Sequence, residues 1–133
     1  MMTGKLAGIA DAPADYERLG LSRTDIASWE DGARTDDSPG TYEWWYFDAH
    51  LADGAKLVVS FMNKDIAEPN KPLSPLLRLN LDLDDGRHFE KIVHYPSSAW
   101  SAAKGHAEVR LGDNRPTATA RTATRCRSPA GRT

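Results

Sequence analysis

Between residues 42 and 111, apolar and polar positions alternate mostly with a period of two, which predicts strands rather than helices. The densest stretch is Tyr42-Glu43-Trp44-Trp45-Tyr46-Phe47-Asp48, and aromatic residues at this density favour a pleated strand. Over residues 42–51, Glu43, Trp45, Phe47, Ala49 and Leu51 fall on one face. Tyr42, Trp44, Tyr46, Asp48 and His50 fall on the other. The first face is mostly apolar. The second interleaves rings with an acid and an imidazole, the make-up expected of a pocket wall that holds an apolar ligand and offers a proton donor. Asp53-Gly54 then predicts a tight hairpin turn. The returning strand is Lys56–Met62, with Leu57, Val59 and Phe61 on one face and Val58, Ser60 and Met62 on the other.

The same pattern recurs downstream. Leu77, Leu79, Leu81 and Leu83 alternate with Arg78, Asn80 and Asp82, predicting a half-buried strand with one wet face. Asp84-Asp85-Gly86-Arg87 repeats the hairpin signal, and residues 88–95 form the return, on which Lys91 shares a face with Phe89, Val93 and Tyr95. Pro96-Ser97-Ser98 ends it. Residues 106–111 make a fifth strand, with Ala107, Val109 and Leu111 alternating with Glu108 and Arg110. Three prolines in residues 64–75 predict an irregular connection. Ahead of the strands, Asp11, Pro13 and Gly20 are placed to cap, start and stop a helix over Pro13–Leu19, a second short turn is expected over residues 24–29, and residues 30–40 read as a polar, exposed loop.

Five strands in hairpin order predict an all-β, antiparallel sheet, either a sandwich or a barrel. A ligand-bearing barrel needs about eight strands, so a partial barrel is expected. The chain of 133 residues divides into a lead-in (1–39), the β domain (40–115) and a tail (116–133). The tail contains no Leu, Ile, Val, aromatic or acidic residue and is expected to be disordered. Its Pro, Thr, Ala, Arg and Gly bias is also what a GC-rich gene yields out of frame, so a frameshift near Arg115 is an expectation beside a natural basic tail.

Charge and cysteine content narrow the function classes. The tail's four arginines oppose no acid, so a formal net charge of −2 leaves residues 1–115 at −6. That acidic body argues against a nucleic-acid partner. The single Cys126 excludes an intrachain disulfide and a multi-cysteine zinc site. No apolar run approaches the ~20 residues of a membrane span and the start is too polar for a secretory leader, so a cytoplasmic location is the default expectation. His50, His88, His94 and His106 raise metal binding, but His88 and His94 lie ~20 Å apart along one strand and cannot share an ion. Asp82, Asp84 and Asp85 read as hairpin residues rather than a calcium loop. No nucleophile motif, phosphate loop or dinucleotide fingerprint occurs, so neither metal nor cofactor is expected.

Glu43-Trp44-Trp45-Tyr46-Phe47-Asp48, followed by Asp53-Gly54 and flanked by Trp29-Glu30-Asp31-Gly32 and Ser60-Phe61, resembles the hydroxyneurosporene synthase family, also called carotenoid 1,2-hydratase-like or AttH-like. The resemblance covers about residues 20–115. It implies lipocalin-like barrels placed in pairs around an apolar pocket, of which this chain supplies most of the first, so a second domain or a partner completing the barrel is expected. It also implies a hydrophobic isoprenoid or polyketide-like substrate and no cofactor. Hydration of a terminal double bond needs a carboxylic acid kept protonated by burial, near ring faces that stabilise positive charge.

On that reading Asp48 is the candidate proton donor, with Tyr42, Trp44, Trp45, Tyr46 and His50 as ligand-binding residues. An Asp near a strand end also accepts hydrogen bonds from the adjoining turn, Glu43 is an acid or a partner to Arg34, and the tryptophans also build core. Three functions follow as expectations: a hydratase or cyclase-type enzyme, a non-catalytic binder of a small hydrophobic molecule, and an inactive, truncated form whose apolar edge after Leu111 needs a partner.

Overall fold

The computed structural model describes residues 9–116. Helix α1 (Pro13–Leu19) and a 3-10 turn (Ser28–Asp31) lead into four seven-residue strands, β1 (Trp44–His50), β2 (Lys56–Met62), β3 (Leu76–Asp82) and β4 (His88–His94). A second 3-10 turn (Ser97–Ala99) and two short strands, β5 (Trp100–Ala102) and β6 (Val109–Leu111), follow. The four long strands form one antiparallel sheet in chain order, and β5 and β6 form a separate antiparallel pair. The expected all-β antiparallel architecture with a short helical lead-in is present, and the described strands do not close into a barrel.

Register turns the alternation of single strands into rows across the sheet. Residues directly opposite one another share a face. One face carries Trp45–Phe61–Leu77–Val93, then Phe47–Val59–Leu79–Lys91, then Ala49–Leu57–Leu81–Phe89. The other carries Tyr46–Ser60–Arg78–Ile92, Asp48–Val58–Asn80–Glu90 and His50–Lys56–Asp82–His88. The second face is wet, with an Arg78–Glu90 ion pair and a His88–Asp82 hydrogen bond, both at 2.6 Å. The first face is apolar except for Lys91.

The small sheet packs on one end of the apolar face only. Phe61, Val109 and Leu111 are buried there, with Trp45, Leu77, Tyr95 and Trp100 packed around them. Trp45 and Trp100 lie 5.9 Å apart between ring centroids, and Phe47 meets Phe61 edge-on at 6.0 Å. Each fully buried Leu, Val or Phe side chain contributes roughly 1.5–3 kcal/mol.

A polar clamp closes the same end. Asn63 is buried; its side-chain amide donates to Asp37 Oδ1 and Thr35 Oγ1, and its Oδ1 accepts from the Glu43 backbone N–H. Lys64 has 0% exposure, and its ammonium donates to the carbonyls of Asp37 (2.6 Å), Ser38 (2.8 Å) and Pro69 (3.4 Å). All three of its donors are thus used, which offsets the cost of burying the charge. Asp37 adopts φ 61 in this loop. Residues 30–40, expected as an exposed loop, therefore fold partly inward, because Asn63 and Lys64 at the end of β2 need acceptors.

The opposite end of the sheet is closed by two similar turns. Leu51 N–H donates to Ala55 O and Gly54 N–H to Leu51 O; Leu83, Gly86 and Arg87 repeat the pattern. Each loop therefore has three residues, and only the glycines Gly54 (φ 88) and Gly86 (φ 87) take positive φ, the arrangement of a type I turn followed by a glycine bulge.

Several boundaries differ from expectation. The α1 N-cap is Ala12 rather than Asp11, because Asp15 reaches back to the Ala12 N–H at 3.2 Å. The turn expected over residues 24–29 lies at Ser28–Asp31, where Glu30 does the same to Ala27 at 2.7 Å. β5 was not expected, since three residues are too few to display a period. The fifth expected strand shrinks to Val109–Leu111. The expected disorder and frameshift of the tail, and Cys126, lie outside the described residues, apart from its first residue, Pro116.

Candidate functional site

Among the described residues β1 is an edge strand, and a hollow of about 490 Å³ lies along it. Tyr42, Trp44, Trp45, Tyr46 and Phe47 line it along the strand, and Glu30, Asp31, Gly32, Arg34, Thr35 and Ala107 form the rim. Tyr42 and Trp44 stack with ring centroids 5.6 Å apart and planes 9° from parallel, giving a flat aromatic shelf.

The segment Trp29-Glu30-Asp31-Gly32 leads into this rim, and each residue has a structural duty. Trp29 lies under the Arg34 guanidinium at 4.6 Å, a cation–π contact. Glu30 caps the 3-10 turn. Asp31 O accepts the Trp45 indole N–H at 2.9 Å. Gly32 is buried against the Lys104 carbonyl, where any β-carbon would collide. Glu43 ties the rim to the strand: Oε1 accepts the Arg34 backbone N–H at 2.7 Å, and Oε2 accepts the Thr35 hydroxyl at 3.0 Å and the Thr35 N–H at 3.3 Å. Glu43 thus partners the backbone of Arg34 rather than its guanidinium.

A second hollow of about 470 Å³ lies on the apolar face, floored by Phe47, Val59, Phe61, Leu77 and Leu79 and bordered by residues 113–116. Phe47 is common to both hollows and is 40% exposed. Beyond it the third row ends in Phe89 at 49% exposure, and Leu51, just past the end of β1, is 46% exposed. Phe47, the second hollow and this row form an apolar tract across the sheet, and the first hollow adjoins it at the β1 edge.

Of the residues singled out from the sequence, Tyr42, Trp44, Trp45 and Tyr46 come together in the first hollow. Asp48 and His50 do not. Both are exposed on the wet face and line neither hollow. The Asp48 side chain thus lacks the burial that protonating a double bond demands. The sequence reading missed Val59, Phe61, Leu77 and Leu79 as floor of a site. Their signal was present as alternation, but only the β2–β3 register places them side by side.

Among the described residues, no cluster of three or more His, Cys, Asp or Glu is placed to hold a metal ion. His88 pairs with Asp82, and His106 with Glu108 at 2.8 Å. No described helix is long and apolar enough to cross a membrane. Comparison with protein-family models, with curated proteins and with solved structures returned no match to the chain.

Proposed function

We propose that the chain binds an elongated, apolar small molecule along the apolar face of its four-stranded sheet. One observation carries this reading. The small sheet covers the first row of that face, while Phe47, Leu51 and Phe89 remain exposed at the other rows. Apolar surface is worth roughly 25 cal/mol per Å² removed from water, so a ligand burying about 200 Å² of it gains on the order of 5 kcal/mol before ordering costs. The aromatic shelf of Tyr42 and Trp44 lies around the β1 edge, on the other face, and offers a flat surface to a ligand segment that reaches past that edge.

The resemblance carried by the Glu43–Asp48 string adds a finer reading, in which the ligand is an isoprenoid or polyketide and Asp48 protonates a terminal double bond before water adds to the cation. Exposure of Asp48 on the opposite face favours binding over that chemistry. Titration of a polyene probe, followed by quenching of tryptophan fluorescence, separates the two. Phe47→Asp is expected to weaken binding at least tenfold, and Asp48→Asn to leave it unchanged. Undiminished binding by Phe47→Asp would remove the proposal. Product formation by the parent that Asp48→Asn abolishes, with binding intact, would establish acid chemistry in its place.

A further inference from the structure

The two edges of the sheet are protected unequally. In an antiparallel strand, successive residues direct their N–H and C=O groups to alternate sides. Glu43 O accepts from Asn63 N and Leu51 N donates to Ala55 O, so the odd-numbered residues of β1 face β2. Trp44, Tyr46, Asp48 and His50 therefore direct their backbone groups outward. Among the described residues, no strand pairs with them. On β4, Tyr95 N donates to Pro75 O, so His88, Glu90, Ile92 and His94 face outward there.

Edge strands are commonly guarded by lysine, proline, bulges or a charge pointing into the apolar face. β4 has such a guard: Lys91 sits on the apolar face, opposite Leu79. β1 has none of these devices over its seven residues, and carries Trp45, Phe47 and Ala49 at the equivalent positions. It is a long, aromatic edge whose outward backbone groups pair with no strand among the described residues.

We infer that β1 is the docking edge for β1 of a second copy of this chain, joined antiparallel about a two-fold axis to give one continuous eight-stranded sheet. The register follows from overlap and side-chain complementarity. Only the alignment centred on Phe47 pairs all seven residues, and it makes about eight backbone hydrogen bonds. It sets Asp48 opposite the partner's Tyr46, whose hydroxyl can donate to the carboxylate, and His50 opposite the partner's Trp44. No like charges face each other, whereas sliding to oppose Asp48 with the partner's Asp48 loses overlap and creates repulsion. On the apolar side, Phe47 meets the partner's Phe47 at a non-hydrogen-bonded position, where Cα atoms approach to about 4.5 Å. The partner's Ala49 falls opposite Trp45 and the partner's Leu51 opposite Glu43, which brings both side chains to the hollow along the edge. The inference rests on the unpaired edge and not on the proposed ligand; in such a dimer the partner occupies the edge hollow, and the second hollow is what remains for a ligand.

Proline tests the edge directly. Tyr46→Pro removes one outward N–H and leaves every β1–β2 bond intact, since proline is tolerated where the lost donor faces away from the sheet. Sedimentation equilibrium of the full chain is expected to show a monomer–dimer equilibrium for the parent and for Tyr46→Ala, a monomer for Tyr46→Pro, and an unchanged dimer for Glu90→Pro on the other edge. A parent that stays monomeric up to millimolar concentration, or a Tyr46→Pro variant that dimerises like the parent, would overturn the inference. Should Tyr46→Pro lose its far-UV strand signal, Phe47→Cys in a Cys126→Ser background decides instead. The stated register predicts ready oxidation to a disulfide-linked dimer, because the Cα separation suits the bond. Failure to cross-link under oxidation would reject it.

Discussion

The apolar face of the main sheet has two ends made from the same kinds of residue and put to different uses. At the clamp end, Trp45, Phe61 and Leu77 lie under Val109, Leu111 and Trp100, and Asn63 and Lys64 bind the lead-in loop against the strand ends. At the turn end, Ala49, Leu57, Leu81 and Phe89 form an equally apolar row, but Leu51 and Phe89 stand about half exposed. Alternation alone does not distinguish a core from a binding surface. What covers the row does, and here the covering element is a pair of three-residue strands that reaches only one end.

If that division is right, equivalent substitutions at the two ends should have very different costs. Phe61, with 5% exposure, is central to the packed end, and Phe61→Ala is expected to destabilise the chain by about 3–5 kcal/mol through lost burial and the cavity left behind. Phe89→Ala removes the same atoms from a half-exposed position and is expected to cost under about 1 kcal/mol. Urea unfolding of the two variants measures the contrast. Equal losses would mean that the turn end is covered as fully as the clamp end.

A smaller but more specific effect belongs to the clamp. Replacing Lys64 by Met keeps most of the stem and deletes the ammonium, leaving the carbonyls of Asp37, Ser38 and Pro69 without their donor. The expected loss is about 1–3 kcal/mol, since unsatisfied acceptors are costly while removal of a buried charge returns part of the desolvation cost. Hydrogen exchange should rise at residues 35–41 and stay unchanged at the turns around Gly54 and Gly86. Uniform loosening at both ends would show that the clamp is not a local device.

The main sheet was legible in the sequence because each hairpin announces itself locally. Asp53-Gly54 and Asp85-Gly86 fix the turns, and Leu77, Leu79 and Leu81 fix the wet and dry faces, so β1 to β4 fall within two residues of their expected ends. The clamp was not legible. A lysine and an asparagine at the end of β2 carry no periodic signal, and their partners are mostly backbone carbonyls and short polar side chains up to 28 residues away. Nor was the role of the Trp29–Gly32 segment, which joins β1 through the Trp45 indole and the small sheet through Gly32 and Lys104. For the candidate site, period two sorted the residues of β1 onto the correct faces. It did not reveal that the face bearing Asp48 and His50 would look into water, because that depends on where a later segment, β5 and β6, chooses to pack.

The smallest expected effect is a titration at the clamp end. Asp36 opens the loop that wraps Lys64, and its carboxyl is held below the ordinary aspartate range by the Ser38 hydroxyl and by the Ser38 backbone N–H, with a weaker contribution from the Lys64 charge and partial opposition from desolvation. A carboxyl whose folded-state pKa is lowered binds its proton more readily when unfolded. Its contribution to stability is therefore present above the unfolded-state pKa, and is lost as pH falls through the folded one. Carbon-13 NMR of the Asp36 carboxyl should give a midpoint below that of a model aspartate. Ser38→Ala should raise it part of the way, because the backbone donor remains, and Lys64→Met should raise it less. A midpoint that does not respond to Ser38→Ala would detach Asp36 from the loop geometry and leave the clamp resting on Lys64 and Asn63 alone.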